Sequence, residues 1–170
     1  MEYRIKAHPT RYKNVMFRSR LESRWAAFFD LLAWKWEYEP IDFADWTPDF
    51  YVEIPCGHSE CNPTHDVYAE VKPYRSIKDF EGHPCSGWLC GEKYSDGGEG
   101  KEVSLGVDAA MMLGINPGVA QIEDMSHGAG GGCFDIRFFV PRDGNVGLYQ
   151  GSLSEELWSE AGSIVQWRPR

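Results

Sequence analysis

No run of apolar residues in this chain approaches the roughly 18 that a membrane-spanning helix requires. Its first residues, Met-Glu-Tyr-Arg-Ile-Lys, lack the apolar stretch of a secretory signal. The expectation is a cytoplasmic protein with no membrane partner. Internal repeats are absent, and no helix-turn-helix or similar base-reading element is evident. The glycine-rich run 128–132 is followed by Cys133 and Phe134, without the Lys-Ser/Thr that a phosphate-binding Walker loop needs. A flexible turn is the plainer reading of that run. Net positive charge is missing too: 26 acidic against 17 basic residues give −9, unpromising for a protein that holds nucleic acid by charge alone. Five cysteines in 170 residues are too few for a disulfide scaffold, and in a reducing compartment they read as free thiols or metal ligands.

What is present points to a folded chain. A hydrophobic content of 42% and an aromatic content of 14% suit one globular domain over 1–170. The charge is unevenly spread. Arg4, Lys6, Arg11, Lys13, Arg18, Arg20 and Arg24 give residues 1–24 a net +5, which leaves −14 on the other 146 residues. A basic N-terminal arm (1–16) could neutralise phosphates while the body stays acidic. A solvated arm with no partner is the alternative.

Leu21, Trp25, Phe28 and Leu32 recur at helical spacing, widened by Ala26, Phe29 and Ala33, and predict a helix over 19–34. Glu22 lies at the edge of this stripe, where a carboxylate needs a partner. Strands are expected at 35–39, 49–54 and 67–72, with Phe50, Val52 and Ile54 on one face and Asp49, Tyr51 and Glu53 on the other. Residues 76–81 read as a short helical turn. Further strands are expected at 103–107, 111–115, 119–125 and 133–140, and a helix at 153–161 with Ser152 or Ser154 as its cap. Two polar insertions rich in Cys and His, 55–66 and 82–101, are expected to lack a core of their own.

The chemistry concentrates in Asp49 and in Glu70-Val71-Lys72. Alternation along a strand sends Glu70 and Lys72 to one face and Val71 to the other. Neighbouring strands would bring Asp49, Glu70 and Lys72 to one spot. Two carboxylates and an ammonium are the equipment for holding Mg²⁺ and splitting a phosphodiester. Each residue also has an ordinary reading, as a strand-end acid or lysine.

In order along the chain these residues are a helix with Glu22, the strand Trp36-Glu37-Tyr38-Glu39-Pro40, then Pro48-Asp49, then Glu70-x-Lys72. This order resembles the PD-(D/E)xK, or restriction endonuclease-like, nuclease superfamily, over about residues 17–74. The Tyr38-Glu39-Pro40 strand is similar to one found in phage- and plasmid-type members and in TnsA-like transposon endonucleases. The resemblance implies an α/β fold: a restriction endonuclease-like core with a central mixed sheet flanked by helices. It implies a bacterial or phage-encoded Mg²⁺-dependent (or Mn²⁺-dependent) endonuclease acting on DNA, with Asp49, Glu70 and Glu22 as metal ligands and Lys72 positioning the attacking water. It also implies a specificity or transposase partner. The rival is a non-enzymatic DNA- or protein-binding module on the same fold. In either case, neutralising one carboxylate of such a cluster is expected to relieve repulsion and spare the fold.

The cysteines make a second constellation. Cys56 and Cys61, and again Cys85 and Cys90, are separated by four residues, with His58, His65 and His83 nearby. That spacing is close to what tetrahedral Zn²⁺ accepts. A structural zinc could pin the two insertions together, while reduced thiols packed as small hydrophobes are the alternative. Cys133 reads as a core residue of its strand. A Cys133–His127 hydrolase pair has no supporting context.

Overall fold

The computed structural model describes residues 7–55, 63–87, 107, 109–124 and 151–166. Cys56, His58, Cys61, Cys90, His127 and Cys133, the strand expected at 133–140 and nearly all of the one at 103–107 lie outside them.

A hairpin of β1 (Thr10–Tyr12) and β2 (Val15–Phe17) leads into α1 (Arg20–Leu31). The main sheet follows: β3 (Lys35–Tyr38), β4 (Phe50–Pro55), β5 (Thr64–Val71), β6 (Ala109–Leu113) and β7 (Ala120–Asp124). A 3₁₀ turn (Ile77–Phe80) and the short α2 (Pro84–Gly87) stand between β5 and β6, and α3 (Gly151–Ile164) closes the described chain. The fold is therefore mixed α/β, with five strands in the order β3-β4-β5-β6-β7. All neighbours run antiparallel except β5 and β6, which are parallel. None of the described helices is long and apolar enough to cross a membrane.

Local chemistry explains these elements. Ser19 is extended (φ −139°), and its hydroxyl accepts from the Glu22 N–H, an N-cap that starts α1. The helix ends where Ala33 turns left-handed (φ 57°). Its apolar stripe, Trp25, Ala26, Phe28 and Phe29, packs on the sheet with Phe50, Val52, Val67, Ala69 and Val71 from β4 and β5. From α3, Trp158 joins this core with its ring centroid 4.6 Å from that of Trp25. The indole of Trp25 donates to the Gly114 carbonyl at 3.0 Å, which ties the helix to the end of β6.

The opposite face of the sheet carries a smaller cluster: Trp46, Tyr68, Phe80, Cys85, Ala110 and Met112. Here the structure corrects the expectation that 82–101 begins as a polar loop, because Cys85 is fully buried. The 3₁₀ turn, fixed by a Ser76–Asp79 capping box, delivers Phe80 and the following segment onto the sheet. The insertion expected at 55–66 is also shorter than the sequence suggests. β4 reaches Pro55 and β5 begins at Thr64, so the polar Thr-His-Asp run is already paired strand. Cross-strand pairing overrides weak β-propensity there.

Candidate functional site

Strand register assembles the site. Phe50 pairs with Ala69, so Asp49, one residue earlier, lies level with Glu70 and shares its face. Along β5, Val67, Ala69 and Val71 go to the main core and Tyr68 to the smaller cluster, the alternation that puts Glu70 on the smaller cluster's side. Lys72 continues past β5 in register, its N–H donating to the Leu113 carbonyl at 2.9 Å. Asp49 and Glu70 are 2% and 3% exposed, a degree of burial that charged carboxylates tolerate only with partners.

Glu70 has three partners. Lys72 pairs with Oε1, the Trp46 indole donates to Oε2 at 2.8 Å, and His83 Nε2 stands 3.4 Å from Oε1. The Cys85 N–H donates to His83 Nδ1 at 3.2 Å, which makes Nδ1 an acceptor. In the neutral ring the proton therefore sits on Nε2, aimed at Glu70. Burial works against the charged form of Glu70, but His83, Lys72 and Trp46 outweigh it and hold the carboxyl below its ordinary range. Burial likewise opposes charge on Lys72, and Glu70 outweighs it, so the ammonium is held above its usual value.

Asp49 behaves in the opposite way. Its Oδ2 accepts the Val71 N–H at 2.7 Å and its Oδ1 accepts from the Arg18 guanidinium at 2.6 Å. Burial and the neighbouring Glu70 charge nevertheless push its carboxyl up to about 7. Neutralisation is therefore expected to have two different consequences. At Asp49 it relieves a strained charge, and at Glu70 it removes the acceptor around which three donors converge.

Glu22 is buried at the start of α1. It accepts from the Tyr38 hydroxyl at 2.5 Å, the Ser19 hydroxyl at 2.7 Å and the Arg18 N–H at 3.1 Å. Its link to Asp49 runs through Arg18, whose backbone serves Glu22 while its guanidinium serves Asp49. The same guanidinium pairs with Glu39 at 3.0 Å. Arg18 thus joins Glu22 to Asp49, Lys72 pairs with Glu70, and the two groups are coupled by charge, since Asp49 feels both Glu70 and Lys72. Among the described residues, no three His, Cys, Asp or Glu side chains form a ready-made metal cluster. The donor set itself, carboxylate oxygens of Asp49, Glu70 and Glu22, is of the kind a hard divalent cation takes.

Of the four candidate zinc cysteines, only Cys85 falls among the described residues. Its Sγ lies 2.9 Å from His83 Nδ1, and burial together with the Glu70 charge pushes the thiol up, so it stays protonated. His65 pairs with Ile54 and shares the face of Val67, away from His83 and Cys85, so it cannot join them in one site.

Arg18, Tyr38, Glu39 and Trp46 join the site although the motif does not contain them. Trp46 had a signal, a bulky aromatic in a polar connector just before Pro48-Asp49. Arg18, 31 residues from its partner Asp49, had none beyond its place next to the N-cap. No family model matches the chain, and neither a curated protein nor a solved structure does.

Proposed function

We propose that the chain is a metal-dependent nuclease that hydrolyses phosphodiester bonds, most simply in DNA, on a restriction endonuclease-like core. The observation that carries this reading is the register that sets Asp49 level with Glu70 on one sheet face, with Lys72 paired to Glu70. The order of the elements, α1 with Glu22 ahead of three antiparallel strands and a parallel β6, agrees with it. Glu70 is held as a carboxylate by Lys72, His83 and Trp46, which suits a cation ligand. Lys72 stays charged and one-third exposed, able to face the negative charge that develops on phosphorus. Asp49 and Glu22 supply the remaining carboxylates. When bound there, Mg²⁺ or Mn²⁺ would supply Lewis-acid polarisation and a hydroxide near neutral pH. No base-reading element is apparent among the described residues, and a specificity or transposase partner would choose the target.

The test is incubation of plasmid and linear DNA with the protein and Mg²⁺, Mn²⁺ or EDTA. Cleavage is expected with either metal and none with EDTA. Absence of cleavage under every condition, with and without a partner, would leave the second reading: a binding module, zinc-stabilised or not, in which Asp49 is structural. One observation favours that second reading, since both Asp49 oxygens already have partners, one of them the Val71 N–H that the strand would otherwise leave unpaired.

A further inference from the structure

We infer that Arg18 is a substrate-binding residue that occupies the metal side of the site until a cation arrives, then turns to a phosphate of the nucleic acid. The inference rests on the nuclease reading and adds to it a residue that the motif does not contain.

Three features of Arg18 carry it. Its side chain is 58% exposed while the carboxylate it grips is 2% exposed, so the guanidinium bridges solvent and a buried acid. The NH2–Oδ1 contact with Asp49, at 2.6 Å, falls on an oxygen that a divalent cation would claim. Two positive charges sharing one carboxylate oxygen repel strongly at such range, so cation and guanidinium exclude each other there. Finally, Nε is paired with Glu39 at 3.0 Å, and Glu39 is itself held left-handed (φ 47°), a conformation that costs energy in a non-glycine residue. Through this ion pair Glu39, partly exposed, can keep the guanidinium beside the carboxylates after Asp49 lets go. A planar fork of donors left there, beside the carboxylates, matches the two oxygens of a phosphodiester.

The experiment uses the full chain, without turnover as its readout. Mn²⁺ binding is measured by isothermal titration calorimetry. Binding of a short DNA duplex is measured in Ca²⁺ over a range of salt. Arg18→Gln, checked for folding by circular dichroism, should bind Mn²⁺ roughly tenfold more tightly, because it no longer competes for Asp49. The same variant should bind DNA more weakly, with a salt slope smaller by about 1, the loss of one phosphate contact. Arg18→Lys, which keeps the charge but cannot span Asp49 and Glu39 together, should shift both affinities the same way by a smaller factor. It decides the matter alone if Arg18→Gln does not fold. Variants that bind Mn²⁺ and DNA as the wild type does would overturn this inference and leave the nuclease reading standing. A wild type that binds neither would overturn both.

Discussion

Asp49 and Glu70 are both acids, both buried and on adjacent strands, yet their partners give them opposite characters. Glu70 is stabilised as an anion, and Asp49 is held against its preference. Asp49 has a folded value of about 7, above its ordinary 3.8, so its contribution to stability is complete below about pH 4 and is lost as pH rises through about 7. Glu70, held low, contributes stability that is present above its ordinary range and is lost as pH falls through its folded value. Asp49→Asn, which can still accept the Val71 N–H, should therefore match the wild type near pH 4 and exceed it at pH 8, by an amount on the order of 2–4 kcal/mol. Thermal melts across that range check the sign. A variant that loses most stability at pH 8 would mean that the Arg18 pair dominates the burial penalty. The shared sheet face of Asp49 and Glu70 was legible in the sequence because strand alternation is a local rule. Their protonation behaviour was not, because it is set by burial, by the approach of Asp49 to Glu70, and by Trp46 and His83, which only the fold brings to Glu70.

Elements were legible wherever apolar periodicity was strong. The stripe of α1 and the alternation Phe50, Val52, Ile54 each specify a single arrangement, and the Ser19 cap marks where the helix begins. The sequence was less informative where pairing, not composition, makes the strand, as at Thr64–Asp66, and where scattered aromatics form the second cluster. Helix ends and helix contacts yield two predictions. Ala33 sits left-handed at the end of α1, so Ala33→Gly should raise stability by about 0.5–1 kcal/mol in denaturant melts, relief of strain exceeding the entropy cost of glycine. On α3, a Cβ at Gly162 would come within 2.8 Å of the Arg24 guanidinium. That guanidinium stacks 4.1 Å from the Trp158 ring centroid and donates to the Trp158 carbonyl at 2.6 Å, joining α1 to α3. Gly162→Ala should then destabilise by roughly 1–2 kcal/mol, against helix propensity, which favours alanine. The loss should shrink in an Arg24→Ala background, where the clash is gone, and an equal loss in both backgrounds would place its cause elsewhere.

At the scale of the whole molecule, the sheet divides the labour. One face, under α1 and α3, carries the larger aromatic and aliphatic core that holds the fold. The other carries the small cluster on whose side Glu70 is fixed, so groups can change there without opening the main core. On the nuclease reading, Lys72→Ala and Glu70→Gln should both suppress metal-dependent DNA cleavage, each by about 10²–10³, the usual cost of one electrostatic group in a transition state. Their effects on folding should differ. Lys72→Ala leaves Glu70 with Trp46 and His83 and should lower stability modestly. Glu70→Gln leaves Lys72 without its anion and turns one carboxylate acceptor into an amide donor facing cationic and N–H donors. It should cost more, on the order of 1–3 kcal/mol, while the main core keeps the protein folded. Paired measurement of cleavage rate and denaturant midpoint separates the two effects. Cleavage at the wild-type rate in both folded variants would place the activity away from this site. Loss of activity only in proportion to the unfolded fraction would make Glu70 and Lys72 structural, and would favour the binding-module reading over the nuclease.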